Sequence, residues 1–164
     1  MLLSGRRIWR TVRDMSQLKE LATPFSGLVK EPAPGKFGDY IEHSAVTQRL
    51  LLHCGPYDQT VIREIYDEHK EYGTVLTGVI LELTLYIDGV QIKVQEAGHC
   101  DHPYKVINKK TGERMTNGAR LKNAVSDAHK RCAMRVGLGL HLYAQDDYFL
   151  LDQLEVKNGR SQDN

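Results

Sequence analysis

Much that would give a chain a ready function is missing from this sequence. No stretch approaches the roughly 20 consecutive apolar residues of a membrane-spanning helix, which excludes a protein of that class. Cysteine is scarce: Cys54, Cys100 and Cys132 are an odd number at irregular spacing, which argues against a disulfide framework and for a reducing compartment. Residues 1–13 lack the apolar core and small-residue cleavage site of a secretory signal, so the expected location is the cytoplasm. There is no G-x-x-x-x-G-K-[ST] loop, no G-x-G-x-x-G after a strand and no G-x-S-x-G elbow, so ATP-driven and nicotinamide chemistry have no visible support and no cofactor is expected. Net charge is lacking too, with 22 Lys and Arg against 21 Asp and Glu, which on its face argues against a polyanionic partner. What is present is ordinary: 41% hydrophobic and 26% charged residues over 164 positions describe one soluble globular domain. A chain of that size buries roughly 70% of its unfolded surface.

The near-zero total hides a segregation. Residues 1–14 carry +3, 15–100 carry −5, 101–135 carry +6 and 136–164 carry −3. A +6 block between acidic flanks can present the local positive face that backbone-directed nucleic-acid binding requires. It can equally be a solvated loop and helix, and composition alone leaves both readings open. Residues 1–14 read as a basic arm, with Met15 as an alternative start.

Along the chain, Ser16 to Ala22 is a short helix stopped by Thr23 and Pro24, and Glu31 to Gly38, with two Pro and two Gly, is a loop. Asp39 is the expected N-cap of a helix running to Cys54, with Ile41, Ala45, Gln48 and Leu52 on one face and Leu51 beside it. Gly78 to Val94 alternates strictly around Asp88-Gly89, an antiparallel hairpin with one buried face. Tyr104 to Thr116 holds a more polar turn, Asn108 to Gly112, and reads as a basic hairpin or flap. Asn117 to Val136 is a helix ended by Gly137. At 100° per residue Leu121, Ala124, Val125, Ala128, Cys132 and Val136 form its apolar stripe, with Lys130 opposite. Arg135 falls near the apolar edge and must pair with an acid, snorkel or meet another subunit. Asp127 and Arg131 have the spacing of an intrahelical ion pair. Tyr148 to Glu155 is a short terminal helix. Val61, Ile62, Ile65, Tyr66 and His69 recur at helical spacing, so local period makes that segment a helix.

Three constellations contain residue types that could carry chemistry. His99-Cys100-Asp101-His102 with His53-Cys54 contains zinc-ligand types, but at none of the usual spacings, so a satisfied strand end and core thiols are the better reading. Glu82, Asp88, Glu96 and Lys93 are the carboxylates and lysine a divalent-metal nuclease would use, yet they also suit the solvent face of a sheet. Lys122, Lys130 and Arg131 project from the polar surface of the basic helix, and Lys105, Lys109, Lys110 and Arg114 in the flap extend the patch along which a strand's phosphates could run. An oligomeric scaffold whose patch takes an acidic protein is a further reading.

The run Lys122-Asn123-Ala124-Val125-Ser126-Asp127-Ala128-His129-Lys130-Arg131-Cys132-Ala133-Met134-Arg135-Val136-Gly137 resembles the core motif of the Rad52-type single-strand annealing proteins and their bacterial and phage relatives. Gly139 to Tyr143, Asp146-Asp147-Tyr148, Tyr40-Ile41-Glu42 and the Ile87-Asp88-Gly89 turn continue the similarity, from about Phe25 to Leu150. The resemblance implies an α+β fold: an antiparallel β-sheet, a hairpin meander, packed on a central basic α-helix, with identical subunits assembled as a ring or arc. It divides the chain into an arm and short helix (1–24), an annealing core (25–150) and a short tail (151–164). It implies single-stranded DNA in an outer positive groove, ATP-independent annealing in recombination and repair, no enzymatic step, and a bacterial cell or phage-infected host. Self-association is one implied partnership; a single-strand binding protein or recombinase is another. Larger relatives add a tail that recruits a recombinase, which is expected to be missing or minimal here. Lys122, Lys130, Arg131 and Arg135 match positions associated with the DNA groove, and Lys30 matches a basic position ten residues before the Y-I-E tyrosine. A lysine tied in some members to a second DNA site is Ile87 here, so that site is in doubt. The resemblance also makes Val61 to Asp67 a strand, and it is followed over the local period because sheet pairing overrides weak helix propensity. With Tyr104 the lone aromatic of the basic block, charge is expected to outweigh base stacking.

Overall fold

The computed structural model describes residues 16–32, 38–100 and 102–160. The basic arm of residues 1–14, most of the 31–38 loop, Asp101 and the last four residues lie outside them. The architecture is α+β, a three-stranded antiparallel sheet with helices. Helix α1 (Ser16–Ala22) and helix α2 (His43–Cys54) precede strands β1 (Asp58–His69), β2 (Gly73–Ile87) and β3 (Val90–His99). Helix α3 (Asn117–Met134), the single-turn α4 (His141–Ala144), a 3-10 turn at Gln145–Asp147 and α5 (Leu150–Arg160) complete the chain.

The sheet order is β1-β2-β3, so β2 is central. Its alternation delivers what the pattern promised: Val79, Leu81, Leu83, Leu85 and Ile87 are all buried. The strand begins at Gly73, ahead of the expected Gly78, and Val75 and Leu76 are buried as well. At the turn Asp88 and Gly89 both have positive φ, 50° and 73°, the conformation that tight hairpins need and that Asp-Gly tolerates. Gln17 of α1 closes over this turn, exchanging hydrogen bonds with the Asp88 backbone and carboxylate.

β1 is a strand over its whole length, as the resemblance implied and against the helical period. The reason lies in its irregularities. Ile62 is an extra residue between the Val61–Leu81 and Arg63–Ile80 pairs, and a second shift falls between Ile65 and Tyr66. The extra Ile62 breaks the alternation of β1 and sets Val61 and Ile62 side by side as a helix face would, whereas the second shift places its extra residue, Thr77, in β2.

α3 crosses β2 and β3 on the face that its small residues create: Ala124, Ala128 and Cys132 are fully buried. Gly98 permits the close approach, since a Cβ there would fall 2.2 Å from the Ala124 carbonyl oxygen. Thr116 caps the helix, its hydroxyl accepting from the Ala119 N–H at 3.2 Å. Gly137, at φ +89°, ends it: Leu138 N–H donates to Ala133 O and Gly137 N–H to Met134 O, a paired reversal that returns the chain across the helix end.

α2 departs from expectation at both its start and its face. Lys30 and Tyr40 form an antiparallel bridge that holds Tyr40 extended, so Glu42 rather than Asp39 occupies the cap position. Ala45, Val46 and Leu50 face the core, whereas Leu52 is 78% exposed. Three successive leucines span 200° of a helix, and packing on α1 and α3 selects Leu50. Leu21 and Ala22 of α1 and Leu154 of α5 are buried, where α1 packs on α2 and α5. The flap forms a short hairpin through an Ile107–Arg114 bridge.

Candidate nucleic-acid interface

Nine cations were expected to serve nucleic acid, and the fold sorts them into groups. Lys130 and Arg131, both half-buried, lie in the last turns of α3, and exposed Arg135 is the residue that caps its C-terminus. Lys130 has no hydrogen-bond or ion-pair partner among the described residues. It lines a small groove with Asp39, Tyr40, Met134 and Tyr143, whose floor includes the core residues Ile41, Val46 and Leu138. A second groove, on the other side of Met134 and Tyr143, is lined by Arg131, Arg135 and Glu96. Lys30 joins this end through its bridge to Tyr40. Lys122 stands exposed eight residues before Lys130, about 12 Å back along the helix.

The flap cations form the other group. Lys105, Lys109 and Lys110 are exposed. Arg114 donates to the Tyr72 carbonyl and lies over its ring, 4.8 Å from the centroid. Tyr104, the aromatic of the basic block, is already engaged: its hydroxyl donates to Asp67 at 2.7 Å, and the Arg120 guanidinium lies 5.3 Å from its ring. Arg120 itself is 2% exposed and donates to the carbonyls of Leu76, at 2.6 Å, and His102, at 2.8 Å. It is a strut between α3, β2 and the flap.

Carboxylates accompany several of the groove cations. Arg131 Nε donates to Asp127 Oδ2 at 3.1 Å, the i, i+4 pair the spacing predicted. The same Asp127 oxygen accepts the His99 backbone N–H at 3.2 Å and so ties α3 to the end of β3. Arg135 pairs with Glu96 across from β3, one of the outcomes its position required. Lys30 pairs with Glu42, and that hydrogen bond raises the lysine pKa above its ordinary value. Beneath the groove, His43 is held below its ordinary pKa first by burial and then by the Lys130 charge.

The alternative sites do not gather. Glu82 accepts hydrogen bonds from Gln95 at 2.7 Å and then Lys93 at 3.2 Å, which lower its pKa in that order, while Glu96 points to α3 and Asp88 sits in the hairpin turn by Gln17. Cys100 is buried and His99 leans on Asp127; among the described residues no three His, Cys, Asp or Glu side chains cluster as metal ligands. Ile87 is 9% exposed and belongs to the core, so its side chain points inward. No helix among the described residues is long and apolar enough to cross a membrane.

What sequence reasoning missed is the aromatic content of the groove. Tyr40 and Tyr143 lie outside the basic block, 103 positions apart in the chain, and only the fold brings them to Lys130. Residues 30–161 match the family model of the Rad52/22 family double-strand break repair protein. The chain belongs to that family. The matched span begins at Lys30 and includes every residue of both cation groups as well as Tyr143. No curated protein matches the chain.

Proposed function

We propose that this Rad52/22 family member binds single-stranded DNA by its phosphates and anneals complementary strands as a homo-oligomer, without nucleotide hydrolysis or any covalent step of its own. The observation that carries this reading is the gathering of Lys30, Lys130, Arg131 and Arg135 at one end of α3. Phosphate attraction is indifferent to sequence, so a strand held this way keeps its base edges free to pair, and pairing itself drives annealing. Self-association is supported by the sheet, because β1 and β3 are both edge strands, each with one side unpaired among the described residues. An edge that meets the opposite edge of the next copy propagates head to tail, and such arrangements close into rings when the rotation allows.

Lys130→Ala combined with Arg131→Ala tests the groove. Neither side chain supports the core, so the variant should fold as wild type by circular dichroism. Its affinity for a labelled oligonucleotide should fall, and the slope of log affinity against log salt should flatten by about 0.7 for each phosphate that is no longer neutralised. Unchanged affinity and slope in the folded variant would defeat the assignment. Incubation of labelled strands with magnesium or manganese should leave them intact; cleavage would favour a nuclease built on the Glu82 face.

A further inference from the structure

We infer that Tyr143, which with Met134 lines both the groove that holds Lys130 and Asp39 and the groove that holds Arg131, Arg135 and Glu96, is a nucleoside-packing platform, so that strand binding has an apolar component as well as an ionic one. This rests on the single-strand reading above and adds a ligand-contacting residue to it.

Tyr143 is held in place while its ring stays out. The Gly137–Leu138–Gly139 reversal buries Leu138 at 1% exposure, and both glycines have positive φ. Leu142, the residue before Tyr143, packs on the core, and His141 Nε2, one position earlier still, receives the Phe25 N–H at 3.4 Å, so the chain leading into Tyr143 is held against the core. The Tyr143 N–H donates to Leu140 O at 3.0 Å. The side chain that follows these anchors is 65% exposed, and its hydroxyl has no partner among the described residues. A single exposed aromatic is ordinary on a protein surface. This one is distinguished by its surroundings: with Met134 it forms the ridge shared by the Lys130 groove and the Arg131–Arg135 groove.

That alternation of cation, apolar ridge and cation matches the alternation of a nucleic-acid strand, phosphate, nucleoside and phosphate. An aromatic face accepts any base or the apolar face of a deoxyribose, so it adds affinity without sequence preference. Both possibilities share one chemistry, packing of a nucleoside on the ring.

Wild-type protein, Tyr143→Ala and Tyr143→Phe would be titrated with a labelled oligothymidylate at several salt concentrations, with oligomer mass followed in parallel. Tyr143→Ala should bind about tenfold more weakly at every salt concentration with an unchanged salt slope, while Tyr143→Phe should bind as wild type. An oligomer of the same length with abasic sites separates the sources. If wild type loses affinity on it and the alanine variant loses no more, the base is what packs; if wild type binds both ligands alike and the alanine variant weakens both, it is the sugar. Wild-type binding that survives unaltered in Tyr143→Ala would overturn the platform and leave the annealing reading standing. A change of oligomer mass in Tyr143→Ala, with per-protomer affinity intact, would overturn it in favour of a role between subunits. Failure of wild type to bind the oligonucleotide at all would instead remove the reading beneath it.

Discussion

Each arginine at the C-terminal end of α3 has a carboxylate of its own chain beside it. Arg135 with Glu96 and Arg131 with Asp127 are solvent-touched pairs, and pairs of that kind contribute only about 0–1 kcal/mol to stability. Their larger effect is on the field a phosphate would meet, since a paired guanidinium attracts a polyanion less than a free one. Glu96→Gln should therefore tighten binding of a short oligonucleotide, by roughly two- to fivefold at low salt, and steepen the salt slope by up to about 0.7. Thermal unfolding should barely move. Fluorescence anisotropy across a salt series measures both quantities, and an unaltered affinity would place Arg135 off the strand's path. At this scale legibility in the sequence followed separation along the chain. Asp127 and Arg131 lie one turn apart, so their pair could be read from spacing alone. The Glu96 partner of Arg135 comes from a strand, and the Glu42 partner of Lys30 from beyond a loop; only the fold supplies them.

The junction of α2 and α3 shows what an element can hide. His129 of α3 is fully buried, with the Tyr57 hydroxyl 2.8 Å from its Nε2, the His43 ring edge-on at 4.3 Å between centroids, and its Nδ1 unpartnered. Burial, and secondarily His43, push its pKa down from 6.5 to about 4. A histidine that charges more readily unfolded than folded leaves the folded state fully stable above pH 6.5. It then withdraws stability as pH falls toward 4, at about 1.4 kcal/mol for each unit. His43, lowered for the same reason, acts in the same direction. The urea midpoint should accordingly drop between pH 7 and pH 5, and His129→Gln, which keeps an acceptor for Tyr57, should flatten that dependence. An equally steep profile in the variant would assign the acid sensitivity to other groups. The element itself was readable, because its stripe of Ala124, Ala128 and Cys132 repeats at helical period and Gly137 closes it. β1 was readable only through the resemblance, since its bulge at Ile62 replaces alternation by a spacing that mimics a turn of helix. Leu52 was misplaced for a related reason: an apolar run covers more than one helix face, and only tertiary packing chooses between them.

For the molecule as a whole, the exposed edge of the sheet weighs most. β1 is twelve residues long, and Val61, Ile62 and Tyr66 are 39%, 50% and 45% exposed. A long edge with apolar side chains is a liability in a free monomer and a template for pairing with another chain. Its bulge at Ile62 bends the strand, a curvature that suits an arc or ring better than a flat stack. Assembly by this edge would also explain how a modest site suffices. Under the proposed function, cations partly offset by Glu42, Glu96 and Asp127 would grip a few nucleotides weakly, but repeating the site around an oligomer would make each further binding event intramolecular and multiply the overall affinity. Ile62→Lys with Tyr66→Lys places two charges on this already solvated strand without entering the core, so each protomer should remain folded. Mass photometry should then find smaller species than wild type. Binding to an oligonucleotide that spans one protomer should persist, whereas binding to a long strand and the rate of annealing should fall steeply. If the variant assembles to wild-type mass and anneals at the wild-type rate, the subunits meet through some other surface and the β1 edge has no part in it.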